Sequence, residues 1–187
     1  MVLILLAACG GPPRGAAAPA GPAPVTVTAV LPLDRLYVLE MSGAPPADTV
    51  VTFANGTSRT VIVRHAPPDN NVFVVVSLPA GTFAADSALD SIRIGIRPQP
   101  GTYAVAIDCN AAIGLGATIT FKYPVHFLPP RDALQRYGNA LAYERALAVA
   151  RKRPDGQYDL LASSRPATDN LAAPLGGAGV YLAAAPR

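Results

Sequence analysis

From residue 25 onward the apolar positions recur with a period of two rather than 3.6. Val25-Thr-Val-Thr-Ala-Val-Leu31 alternates, and Leu36–Met41, Thr49–Ala54, Thr57–Arg64, Val72–Leu78, Ile92–Arg97, Thr102–Asp108 and Ala117–Tyr123 read as further strands. Turn chemistry separates them: Pro67-Pro68-Asp69-Asn70-Asn71, Pro79-Ala80-Gly81, Pro98-Gln99-Pro100-Gly101 and Gly114-Leu115-Gly116. Asn55-Gly56 supplies the two positive φ values of a type I′ turn, so residues 49–64 are expected to form a hairpin. Short strands at this spacing, with no long helices between them, predict an all-β chain folded as an antiparallel β-sandwich.

Residues 140–152 combine alanine, which favours helix, with Leu141, Tyr143, Leu147 and Val149 at odd positions, which share one face of a strand and scatter around a helix. They are expected to be a strand, after a short helical turn at Arg131–Arg136. Pro154-Asp155-Gly156 then turns the chain into a strand at Gln157–Ala162, and Gly179–Ala185 is the last one.

The N-terminus follows a different pattern. Val2 to Ala8 is an uninterrupted apolar run, too short for the roughly 20 residues that span a bilayer but of the length of a secretory signal core. Leu6-Ala7-Ala8-Cys9 resembles the lipobox of bacterial lipoproteins, which implies cleavage before Cys9 and a lipid on its thiol. No Lys or Arg precedes the run, so translation is expected to begin upstream of Met1. Residues 10–24 hold only Pro, Gly, Ala and Arg14, the composition of a disordered tether reaching about 45 Å when extended. The expected division is therefore a signal and lipobox over 1–9, a linker over 10–24 and a β-sandwich domain over 25–187. With Cys9 acylated, Cys109 stands alone and no intrachain disulfide forms.

Within the body, Leu78-Pro-Ala-Gly-Thr-Phe83, Ala117-Thr-Ile-Thr-Phe-Lys-Tyr123, Pro154-Asp-Gly-Gln-Tyr158 and Gly179-Val-Tyr-Leu-Ala-Ala184 occur in the order of similar segments in ZU5-like domains. The resemblance spans about residues 78–184 and implies an immunoglobulin-like or ZU5-like sandwich that serves as an interaction or structural module. It hands over no catalytic residues.

Composition narrows the function classes. Of 187 residues only 14% are charged, against about 25% in soluble proteins generally, which excludes a disordered polyelectrolyte or a charged helical bundle. Fifteen Lys and Arg against twelve Asp and Glu leave +3, too small a surplus to indicate nucleic acid as a partner. The histidines, His65 and His126, belong to no HxxxH or HExxH arrangement, and Cys-x-x-Cys, phosphate-loop, dinucleotide and Gly-x-Ser-x-Gly motifs are absent. No metal and no cofactor are expected. Asp69-Asn-Asn71 and Asp86–Asp90 lack the spacing of an EF-hand and read as turn formers.

Residues 131–153 carry six basic side chains against two acidic ones. Arg145, Arg151, Lys152 and Arg153 are thus a candidate interaction edge for anionic lipid or an acidic polymer, or else a charged guard on an edge strand. The expectation is a non-enzymatic module, held to a bacterial membrane outside the cytoplasm by a lipid on Cys9, with an unknown envelope protein or polymer as partner. The competing class is a small envelope enzyme using Cys109 or a histidine.

Overall fold

The alternating segments become strands in a computed structural model that describes residues 25–83, 88–123 and 127–187. In chain order they are β1 (Val27–Leu31), β2 (Leu36–Val38), β3 (Glu40–Met41), β4 (Thr49–Ala54), β5 (Arg59–Arg64), β6 (Val72–Leu78), β7 (Ser91–Pro98), β8 (Ala104–Cys109), β9 (Thr118–Lys122) and β10 (Phe127–Leu128). Helices α1 (Arg131–Tyr137) and α2 (Ala140–Ala146) follow, then β11 (Ala148–Lys152), β12 (Tyr158–Leu161), β13 (Asn170–Pro174) and β14 (Gly179–Pro186). The strands pair antiparallel in a large sheet, β1-β12-β11-β14-β8-β7-β4, a small sheet, β13-β9-β6-β5, and a two-stranded ribbon of β3 and β10. The fold is an all-β antiparallel sandwich, as the alternation of the sequence requires.

Alternation also decides what fills the sandwich. Ile92, Ile94 and Ile96 of β7, Val105 and Ile107 of β8 and Tyr181 and Ala183 of β14 meet Val61, Val74, Val76, Ile119, Phe121 and Leu171 of the small sheet in one buried core. Burying each of the larger side chains contributes about 1.5–3 kcal/mol relative to exposure. Phe73 stacks on Tyr103 at 5.2 Å and meets Phe121 edge-on at 6.2 Å.

β14 is the spine of the large sheet. β11 pairs along one side of it, and β8 and β2 share the other side end to end. Where β2 and β8 meet, three buried backbones close a ring: Leu39 N–H donates to Ala183 C=O (2.8 Å), Ala183 N–H to Tyr103 C=O (2.9 Å) and Tyr103 N–H to Leu39 C=O (2.9 Å). Buried backbone groups need partners, and this ring supplies them where two ladders end. It also breaks the single strand expected at Leu36–Met41 into β2, on the large sheet, and β3, on the ribbon.

The expected hairpin at residues 49–64 does not form. β4 pairs with β7 in the large sheet and β5 with β6 in the small one, so Asn55-Gly56 is a corner between sheets. Thr57 N–H donates to Ala54 C=O (3.3 Å), and of the two central residues only Gly56 has positive φ (+81°), which is the type II pattern rather than type I′. Alternation marks the buried face of a strand and is silent about its neighbour, which is why local turn chemistry misdirected the pairing.

The strand expected over 140–152 is also corrected. Asn139 caps a helix, its side chain accepting from Ala142 N–H at 2.8 Å, and the extended strand begins only after Leu147. Tyr143 is buried within the helix and Leu147 at its extended C-cap, while Leu141 points outward, 54% exposed. β13 and β10 were not expected. The first is rich in alanine and the second only two residues long.

Candidate functional site

The outer face of the large sheet is not polar, as the free face of a sandwich usually is. Leu182 and Ala184 of β14 join Leu36, Ala104, Ala150, Tyr158 and Leu160 in a second apolar cluster in which no residue is more than 6% exposed. The chain itself supplies part of the cover. β1 sits at the edge beside β12 and β2 pairs with β14, so the 3₁₀ turn Leu33–Arg35 between them crosses the outside of the sheet.

What the crossing leaves open is a groove of about 400 Å³, lined by Leu33, Val38, Gln99, Pro100, Thr102, Ala104, Lys152, Tyr158, Val180 and Leu182. It continues through Leu33, Val38 and Thr102 into a depression of about 270 Å³ that ends at Glu40, Pro130 and Arg187. Leu33 stands on the rim, 49% exposed. Charge is confined to the ends, with Lys152 at one and Glu40 and Arg187 at the other. Arg187 is fixed there: its backbone N–H donates to Arg35 C=O (2.8 Å), its Nε to Leu36 C=O (3.2 Å), and its guanidinium lies 4.7 Å over the Tyr37 ring. Burial raises the Tyr158 phenol above its ordinary value.

The basic residues singled out in the sequence do not form an edge. β11 lies between β12 and β14, and Arg145 belongs to α2. Arg151 turns inward, 6.0 Å over the Tyr181 ring and beside Gly176 and Gly177. Lys152 reaches the groove on the opposite face. Arg153 is held by Asp155 (3.2 Å) in the turn that follows and by Asp159 (3.3 Å) of β12. Strand alternation places Arg151 and Lys152 on opposite faces of the sheet, so neighbours in sequence do not share one basic surface.

Cys109 closes β8 beside the corner, where Asn110 binds Ser91 and Arg93, whereas His65 closes β5 at that strand's far end. Burial pushes the Cys109 thiol above its ordinary value and Asp108 adds to the push, while the backbone N–H groups of Ala111 and Asn110 oppose it. A raised thiol is a poor nucleophile. His65 is 5% exposed, and its ring packs edge-on against Phe73 at 5.4 Å. His126, Asp86 and Cys9 lie outside the described residues, as do the lipobox and the linker. Among the described residues no three His, Cys, Asp or Glu side chains gather as a metal would need.

The groove has no local signature in the sequence because its lining comes from segments far apart in the chain, from Leu33 and Val38 through Gln99–Ala104 to Lys152, Tyr158, Val180 and Leu182. Comparison of the chain with protein-family models, with curated proteins and with solved structures gives no match.

Proposed function

We propose that this chain is a lipid-anchored β-sandwich that works outside the cytoplasm as a binding or structural module of a bacterial cell envelope. The observation that carries the binding role is the open apolar groove across the outer face of the large sheet, since concave apolar surface with a few polar groups at its ends is what recognition sites are made of. Leu6-Ala7-Ala8-Cys9 supports the anchor, and the Pro-, Gly- and Ala-rich residues 10–24 support a tether between anchor and domain. The wide placement of Cys109 and His65 and the raised thiol favour a module over an enzyme. The ligand this groove suits is an extended apolar stretch of an envelope protein or polymer, with an acidic group at the Lys152 end.

A photo-crosslinking side chain replacing Leu33 in living cells tests this reading, with the same side chain at Ile62, 45% exposed on the small sheet, as the control. Position 33 is expected to give a discrete crosslinked species that position 62 does not. Identical products from both positions, or none from position 33, would overturn the groove as the recognition surface.

A further inference from the structure

Sheet edges are places where chains join, and among the described residues three of the four outermost strands of the two main sheets, β1, β4, β5 and β13, are guarded. β1 changes register between Val27 and Ala29. β5 carries Arg59 and Arg64 at its ends and an irregularity at Val63/Arg64. β13 ends in Pro174, and its outer side is occupied by Ser164, which exchanges two backbone hydrogen bonds with Ala172 (2.8 and 2.9 Å).

β4 has none of these devices. Thr49-Val-Val-Thr-Phe-Ala54 holds no charge and no proline and keeps regular register with β7 throughout. Its backbone directions follow from the ladder. Asn55 N–H donates to Asp90 C=O (3.0 Å), which continues the register as a hydrogen-bonded pair, so Phe53/Ile92, Val51/Ile94 and Thr49/Ile96 are hydrogen-bonded and Thr52/Arg93 and Val50/Gly95 are not. Val50 and Thr52 therefore aim their N–H and C=O groups away from β7. Among the described residues nothing receives them. Val50 is also 53% exposed, although it is apolar.

We propose that β4 pairs with β4 of a second copy of this chain, antiparallel about a two-fold axis, so that two large sheets become one. The strand is its own complement. Opposed residues must share a face of the sheet, which allows a register with Val51 on the axis and Val50 opposite the second copy's Thr52. In that register both Val50–Thr52 pairs close both of their N–H···O bonds, using the groups that β7 leaves free. Because β4 is uncharged, self-pairing sets no like charges opposite one another, whereas at β5 the arginines would oppose it. The pairing leaves the groove untouched and does not depend on what it binds.

Sedimentation of the full chain, with Cys9→Ser in all samples to prevent acylation, tests the pairing. The parent is expected at twice its 19.2 kDa at high concentration. Thr52→Pro removes an outward N–H that no bond among the described residues uses, and Thr52→Lys sets a charge on the edge; both are expected at the single mass with unchanged circular dichroism. Amide exchange gives the residue-level readout, with Val50 and Thr52 slowing as the concentration of the parent rises and Val51 and Phe53 slow at every concentration. A single mass for the parent, or a folded variant that keeps the double mass, overturns the proposal.

Discussion

Asp108 lies directly across the β7–β8 ladder from Gly95, and its carboxylate occupies the space where a side chain at residue 95 would be. A Cβ there would stand 2.5 Å from Asp108 Oδ1. The missing side chain lets the carboxylate rest on the strand between Arg93 (3.6 Å) and Arg97 (3.4 Å), two positions to either side of Gly95. These ion pairs are more than one-third exposed and contribute little by themselves, so the glycine is required for space rather than for charge.

Gly95→Ala is therefore expected to destabilise the domain by about 1 kcal/mol through crowding, as overpacking does. The decisive comparison is a double-mutant cycle with Asp108→Ala in chemical denaturation. Once the carboxylate is gone, Gly95→Ala should cost nothing further. Full additivity of the two changes would contradict the account.

At the corner between sheets, Gly56 has φ +81° and no atom within 4 Å of where its Cβ would be. A substitution there meets no clash and pays only the backbone penalty of the left-handed region, about 1–2 kcal/mol. Gly56→Val is expected to lower stability by that amount or slightly more, with the strands on both sides intact. An unchanged melting temperature would mean that the turn adopts another geometry.

Helix α2 depends on its two ends. Asn139 accepts from Ala142 N–H, and the Arg165 guanidinium donates to the C=O groups of Glu144 and Leu147 at the other end. Asn139→Ala should cost about 1 kcal/mol, and Asn139→Ser, which keeps a cap acceptor, markedly less. Equal losses for Ala and Ser, measured by denaturant unfolding, would place the role of Asn139 elsewhere.

Much of this fold was legible because alternation reports burial. The segments now forming β1, β4 to β9, β12 and β14 were all expected as strands, and the sandwich follows from them. Pairing was less legible. Asn55-Gly56 is as good a hairpin signal as a sequence offers, yet β4 and β5 each found partners rich in Val and Ile on separate sheets. Leu141, Tyr143, Leu147 and Val149 shared odd numbering by coincidence of a helix running into a strand. The candidate site was the least legible part. Ala104, Ala150 and Ala184 are buried on the outer face in a cluster with Leu36, Tyr158, Leu160 and Leu182, residues distant in the chain, a long-range fact with no local signature.

Buried tyrosines set the alkaline limit of stability. Burial pushes Tyr123 up to about 12, with Glu144 adding and Arg165 opposing; it pushes Tyr181 to about 12 as well, against the lowering effect of Arg151. Tyr103 and Tyr143 are raised further by the same cause. In the unfolded chain these phenols lose their protons near 10, so above that pH the folded state binds more protons than the unfolded one. Stability is then fully present below about pH 10 and falls as pH rises toward 12. Tyrosinate absorbance should rise together with the loss of circular dichroism. Complete ionisation near pH 10 with the fold intact would contradict the burial described here.

The most direct test of an anchored envelope module is mass spectrometry of the mature N-terminus, with the protein expressed from its native locus in a bacterial host so that any upstream codons are retained. Leu6-Ala7-Ala8-Cys9 predicts a chain that begins at Cys9 and carries acyl mass on that residue, recovered from the membrane fraction, with Cys9→Ser abolishing the modification. An unmodified chain that retains residues 1–8 and partitions into the aqueous fraction would contradict the account.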